Sequence, residues 1–518
     1  MFHKKFFTFV VLFSLALCPF FISDAKSQDA TVTIATVGLR DWDPSISYAL
    51  VDVQIMENIY EHLLKYNSGN FLPELAVDYE KSADGQVWTF KLREGVKFHN
   101  GEPFNAEAVK YSYDRTLKIG KGPSYLFEAV QEIKVLDEYT VQFICKQPTP
   151  LDILVAQPFG SYIMPPKLME DKGTEWFQQG NACGTGPYKL VSWEKGVQTV
   201  LEKNDDYWKG WKSNQYKRVV FKEIAEPSTR IQLLKGGQLD MDPRGFDIDI
   251  LKSLKAHPDI EIIIDDLWKN MVYHINTQKP PTDDLGVRKA IFHAIDYDLL
   301  VKKLHGETAS KSQGPLPHTM YDHNPKLNVY EYNLDKARQL IKESKYADQL
   351  AQGDMKVIMT SIYPEKEPTA LYVQAALKKI GIEVDIDKTP WPAAWDKLKD
   401  KENAPHMAMS NWEDFQDSAW ERFLMVYHTQ PDDGNLFNWS WYSNPEVDRL
   451  IDEARPIEAV DREKAREHYQ KVQQILVDDA VTLSVYDTKL VMVKRKEVKG
   501  YQPNVAYSSI IFVHQLSY

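Results

Sequence analysis

MKVIMTSIYPEKEPTALYVQAALKKIGIEVDIDKTPWPAAWDKLKDKENAPHMAMSNWED, residues 355–414, carries the pattern that decides the fold. Residues 355–362 are an apolar, β-branched run, as in a buried strand. Leu371, Ala375 and Lys378-Lys379 follow at helical spacing, and Gly381 stands where a helix C′ residue is expected. Ile382, Val384 and Ile386 alternate as a second strand. A short helix over 395–401 and a third strand over 406–411 complete the unit. Strand, helix, strand, helix, strand predicts a parallel sheet with right-handed crossovers, and hence an α/β fold class.

Open parallel sheets bind ligands in the crevice beyond the carboxyl ends of their strands. Those ends are Ser361-Ile362-Tyr363, Thr389-Pro390-Trp391 and Trp412-Glu413-Asp414-Phe415. Any one of these rings reads as a core residue with a polar handle. Aromatic rings and carboxylates at three successive ends set a ligand-binding reading beside the packing one.

The chain has 518 residues, more than one hydrophobic core usually serves, so two or three domains are expected. Its 74 acidic and 62 basic side chains leave a formal net charge of -12, without the basic footprint that nucleic-acid binding requires. Lys4 and Lys5, an apolar run over 6–21 and Ser23-Asp24-Ala25 read as a signal peptide over 1–25, cleaved near Ala25. The run is shorter than the ~20 residues of a spanning helix. Leu17 before Cys18 argues against a lipid anchor, so the mature chain is expected to be exported and soluble. Cys145 and Cys183 then remain, either bridged or as two separate buried thiols. Residues 86–104 predict a hairpin: Trp88, Phe90 and Leu92 alternate and Asn100-Gly101 marks the turn. Asn105 is placed to cap a helix over 106–116.

Longer motifs resemble a known family. Ala76-Val77-Asp78-Tyr79 through Asp84-Gly85, and Thr89-Phe90-Lys91-Leu92-Arg93-Glu94-Gly95-Val96-Lys97-Phe98-His99-Asn100-Gly101, are similar to the signature of extracytoplasmic solute-binding proteins of family 5. That family includes the oligopeptide-, dipeptide- and nickel-binding proteins of ABC importers. Gly184-Thr185-Gly186-Pro187-Tyr188, Asp205-Asp206-Tyr207-Trp208, Leu234-Lys235-Gly236-Gly237-Gln238-Leu239-Asp240, Val287-Arg288-Lys289-Ala290-Ile291 with Ala294-Ile295-Asp296, and Asn444-Pro445-Glu446-Val447-Asp448 follow in order.

The resemblance implies a two-lobed periplasmic-binding-protein fold of type II with an extra subdomain and a ligand cleft between the lobes. Lobe I would take 26–69, 184–269 and 489–518, with 70–183 inserted as the subdomain; lobe II would take 270–488. Strand-like crossings over 266–273 and 485–491 would form the hinge. Such a protein captures peptides or a similar small organic solute and delivers it to permease subunits in the membrane, with no cofactor and as a monomer. By position, Asp414 would hold a peptide's α-amino group. Dipeptide binders add an arginine at the end of the first strand, where this chain has Thr360, and no arginine occurs over 339–420. A strict dipeptide reading is thereby weakened, since a buried ligand carboxylate needs a cation. Longer peptides, amines and uncharged sugars stay open. Trp412, Phe415, Trp391 and Tyr363 complete the expected wall, and Arg244 is expected either to face the cleft or to pair with Asp242, Asp247 or Asp249.

Rival chemistry is thin. Glu413 with Asp414 or Asp417 could be offered as the acid and base of a secreted glycoside or peptide hydrolase, yet the carboxyls of a glycosidase face each other across a sugar, ~5–9.5 Å apart. The chain has no Gly-x-Ser-x-Gly, His-Glu-x-x-His or Walker-type loop. His318 and His323 have poor metal-ligand spacing and read as surface histidines, so no metal site is expected.

Overall fold

The computed structural model of the protein describes residues 30–67, 69–431 and 435–518; the segment read as a signal peptide lies outside them. An eleven-stranded sheet dominates. Its strands are β1 (Thr31–Thr36), β2 (Tyr188–Glu194), β3 (Gln198–Lys203), β4 (Arg218–Glu223), β5 (Met241–Asp242), β6 (Ile260–Ile275), β7 (Ala309–Lys311), β8 (Lys356–Thr360), β9 (Glu383–Asp387), β10 (Met407–Glu413) and β11 (Thr482–Arg495). They lie in the order β9-β8-β10-β6-β11-β5-β1-β4-β3-β2, with β7 added to β11.

The deciding stretch folds as its periodicity predicts. β8 pairs in parallel with β9, from Lys356 opposite Glu383 to Thr360 opposite Asp387, and β8 is parallel to β10 at Met359–Met407. Helix α1 (Glu367–Lys378) buries Thr369, Ala370, Val373, Ala376 and Leu377, one stripe of a 3.6-residue repeat, against Val357, Met359 and Val384. Gly381 has φ 86, the left-handed region that lets the chain turn back into β9. Helix α2 (Ala393–Leu398) begins two residues earlier than the spacing predicts. β10 runs on through Trp412 and Glu413 because β6 lies antiparallel beside it, pairing Asn270 with Trp412 and Lys269 with Glu413. The sheet as a whole is therefore mixed: β1 is also parallel to β4 and to β5, while β6 pairs antiparallel with both β10 and β11.

The two longest strands, β6 and β11, pair antiparallel from Ile260 opposite Arg495 to His274 opposite Thr482. Their register slips between Asp266 and Asn270, so the ladder is broken in the middle of both strands. His318 sits over that break, with Nδ1 3.1 Å from Asp487 and Nε2 3.6 Å from Asp266. His318 keeps about a third of its side chain exposed, at 35%, as expected of a surface histidine, whereas His323 is buried, which corrects the expectation for that residue. No group of three or more metal-ligating side chains occurs among the described residues.

The expected hairpin over 86–104 is corrected. Val87–Leu92 pairs with Ala76–Lys81 and Thr140–Cys145 in a separate four-stranded antiparallel sheet, not across Asn100-Gly101. The Asn-Gly turn closes only a small loop, bridged at Lys97 and Pro103. Trp88 and Phe90 alternate because one face of this sheet is buried, and Tyr113 of the helix Ala106–Ile119 meets Phe143 there at 5.1 Å. Asn105 caps that helix, accepting the Ala108 N–H at 3.2 Å. Cys145 and Cys183 are separate buried thiols, and burial pushes Cys183 up to about 11. Two of the ordered motifs converge on one buried carboxylate, Glu61, which accepts from Thr185 Oγ1 at 2.8 Å, Tyr207 Oη at 2.8 Å and Trp208 Nε1 at 2.9 Å. A Cβ at Gly184 would stand 2.1 Å from the Ile59 carbonyl, so that close approach admits only glycine.

Candidate functional site

β8, β9 and β10 end on one edge of the sheet, at Thr360, Asp387 and Glu413. The side chains beyond two of those ends meet. Trp391 lies 5.1 Å from Trp395 and 6.1 Å from Trp439; Trp439 is 6.2 Å from Phe437, and Phe437 is 5.6 Å from Trp412. Five rings thus run as a continuous wall from the β9 end to the β10 end. Trp391 keeps 40% of its surface open, the largest exposure of any tryptophan among the exposed apolar side chains. Tyr363, beyond β8, packs instead on the core under α1, where burial raises its phenol.

Asp414 is buried, 7% exposed, and its charge is already met. Arg422, on helix α3 (Trp420–Val426), places Nε 3.1 Å from Oδ1 and Nη2 against Oδ2, a bidentate pair. Trp412 Nε1 donates to the same Oδ1 at 3.1 Å. The Asp414 N–H donates to the Trp268 carbonyl at 2.8 Å, at the slip in β6. Burial drives the carboxyl upward and Arg422 pulls it back, leaving it at about 6. The cation for Asp414 lies just past the stretch 339–420, in which none was found, and it serves the protein's own carboxylate.

Neighbouring carboxylates are engaged too. Glu413 pairs with Lys269 at 2.8 Å and accepts from Ser508 Oγ. Asp417 accepts from Tyr66 Oη at 3.2 Å and the Tyr321 N–H at 3.0 Å, with Arg462 3.7 Å away. Arg244 turns to Asp242, Nε to Oδ1 3.6 Å, and donates to the Ile224 carbonyl, so of its two expected settings it takes the pairing one. Burial lowers its pKa.

Residues distant in sequence close over the β10 end. Phe159 stacks edge-on to Phe415 at 4.9 Å, and Tyr48 lies 4.8 Å from Phe159 and 6.1 Å from Tyr125. Tyr48 and Tyr125 both donate to Oε1 of Glu421, and Gln416 donates to Oε2. Lys366, beyond β8, has its ammonium 5.6 Å from the Tyr486 ring and is lowered by burial and by Lys269. Glu421, Arg422, Tyr48, Tyr125 and Lys366 carried no sequence signal, because none stands in a motif or at a strand end. A cavity of about 260 Å³ beside Lys311, Asn324 and Leu327 is lined by none of the strand-end residues.

The profile of bacterial extracellular solute-binding proteins, family 5 Middle, matches residues 70–434. The chain belongs to that family. Its similarity extends over nearly its full length: it is 29% identical over 503 residues, 95% of each chain, to the probable D,D-dipeptide-binding periplasmic protein DdpA of Escherichia coli K12. It is 28% identical to the dipeptide-binding protein of the same organism, over 86% of each. The peptide-bound DppA of Helicobacter pylori superposes with a TM-score of 0.79 at 25% identity, covering 94% of this chain and 98% of that one. NikA of Brucella suis, solved with Fe(III)-EDTA, gives 0.82 at 24% identity, covering 94% and 100%. As a family 5 protein the chain is a solute-binding component with the two-lobed binding-protein fold. No helix among the described residues is long and apolar enough to cross a membrane.

Proposed function

We propose that this chain, exported to the periplasm with cleavage near Ala25, captures peptides or a similar small organic solute as a monomer and presents it to the permease of an ABC importer. The lobes proposed are 26–69, 184–269 and 489–518 on one side and 270–488 on the other, with 70–183 as the inserted subdomain. In support, β6 and β11 lie between β9-β8-β10 on one side of the large sheet and β5-β1-β4-β3-β2 on the other, and their register slips where the crossing is proposed. One observation carries the reading: the open face of Trp391 continues through Trp439 and Phe437 to Trp412, and Phe415 meets Phe159 of the proposed subdomain. An aromatic wall with a few placed polar groups is the usual build of a small-molecule site. Trp391, Trp412 and Phe415 would contact the solute, Tyr363 and Asp414 would hold the strand ends in place, and Arg244 would brace Asp242 on the facing side. Glu413, Asp414 and Asp417 each have a cation within 4 Å, which favours binding without bond cleavage.

The test is a thermal-shift screen of the mature protein with free, acetylated and amidated di- to pentapeptides and a sugar panel. A ligand at ~100 times its dissociation constant adds ~2.7 kcal/mol, a readable shift. Stabilisation by peptides supports the reading. Stabilisation by sugars alone, for which the exposed Trp391 face is a stacking platform, replaces peptides with saccharides. Release of cleaved product would overturn the binding-only role.

A further inference from the structure

The carboxylate in the cleft region that lacks a counter-charge is Glu421, not Asp414. Glu421 lies in the first turn of α3, beside Arg422, whose guanidinium is committed to Asp414, Asn270 and the Pro315 carbonyl. Arg455, over the Trp420 ring at 4.0 Å, is committed to Glu458 at 3.1 Å. Among the described residues, no Lys, Arg or His nitrogen forms an ion pair with Glu421; its partners are neutral, Tyr48, Tyr125 and Gln416. An ionised carboxylate offers about four acceptor positions, and these three donors leave one open. The rings around it form an enclosure: Tyr48, Tyr125, Phe159 and Phe415, with neighbouring centroids 4.8 to 6.1 Å apart. Tyr48 remains 43% exposed, so the enclosure has a solvent-facing side. A negative group among aromatic faces is complementary to a cation, which gains from the carboxylate and from the ring quadrupoles together.

We infer that Glu421 with Tyr48, Tyr125, Phe159 and Phe415 is the receptor for a positively charged ammonium group on the transported solute. Tyr48 and Tyr125 belong to the proposed lobe I and its subdomain and α3 to the proposed lobe II, so a cation bound there would touch both sides at once. Asp414 then holds α3 and the β10 end through Arg422, and positions Glu421 beside it. The inference rests on the proposed capture of a small organic solute between lobes and specifies its charge.

The test uses the mature protein and two matched probe pairs, trialanine with N-acetyl-trialanine and tyramine with p-cresol, in titration calorimetry. Glu421→Gln keeps the shape and an acceptor for both tyrosines, so circular dichroism and melting temperature serve as the folding control. The expected result is binding of at least one amine in preference to its uncharged partner, weakened about 10- to 100-fold by E421Q. The uncharged partner should be unaffected by the substitution. Tyramine binding without trialanine binding would keep the receptor and discard the peptide reading. Failure of the wild type to bind either amine, or unchanged amine affinity in E421Q, overturns the inference. If E421Q does not fold, Tyr48→Phe with Tyr125→Phe frees the carboxylate of two donors. That pair keeps both rings and should strengthen amine binding, and unchanged or lost binding would count against the assignment.

Discussion

Arg422→Met removes the cation from a deeply buried carboxylate at the strand ends and leaves Asp414 with the Trp412 indole N–H as its remaining side-chain donor. Breaking a buried ion pair from one side costs about 3–5 kcal/mol, and Asn270 Oδ1 and the Pro315 carbonyl lose their donor as well. The double variant D414N/R422M removes both charges and should recover most of that loss, so the cycle isolates the pair. The pH dependence follows from the direction in which Asp414 is displaced. Its folded value of about 6 lies above its ordinary 3.8, so the folded state holds the proton more tightly. The associated stabilisation, about 3 kcal/mol, is fully present below about pH 4 and is withdrawn as pH rises through 6. Without Arg422 the carboxyl lies higher still, and the withdrawal continues past the point where the wild type has finished. The gap between wild type and R422M should therefore widen from pH 6 to 8 and shrink toward pH 4.5. Urea unfolding followed by tryptophan fluorescence reads this directly, since Trp412 donates to Asp414. A loss below about 1 kcal/mol at pH 7, or a gap that is flat with pH, would falsify the account of this pair.

His318 is raised from its ordinary value, chiefly by its hydrogen bond to Asp487, with Asp266 adding and Lys489 opposing. Its contribution is present below about pH 6.5 and lost as pH climbs through the higher folded value, so H318Q should destabilise more at pH 6 than at pH 9 in thermal melts. Gly184→Ala places a methyl 2.1 Å from the Ile59 carbonyl, and should cost about 1–3 kcal/mol in urea unfolding, with a melting temperature unchanged from wild type as the contrary result.

How much of this was legible beforehand follows from the range of each interaction. The unit over 355–414 was readable because strand and helix periodicity are local: alternating Ile382, Val384 and Ile386 and the buried stripe of α1 each record which face meets a core. The hairpin over 86–104 was misread because alternation reports a buried face but not the neighbour that covers it. Val87–Leu92 found its partners in Ala76–Lys81 and Thr140–Cys145. Thr185, Tyr207 and Trp208 were visible as parts of motifs, and their common target, Glu61, was not. By itself, the sequence determined the α/β class, the family and the aromatic strand ends, all properties that neighbouring residues encode. The state of charge in the cleft was decided by tertiary structure alone. Whether a carboxylate is neutralised depends on which side chains arrive within hydrogen-bond reach: Arg422 reaches Asp414 from a following helix, and Tyr48 reaches Glu421 across 373 positions. Coulomb attraction and desolvation act on those distances in space, and no local pattern records them.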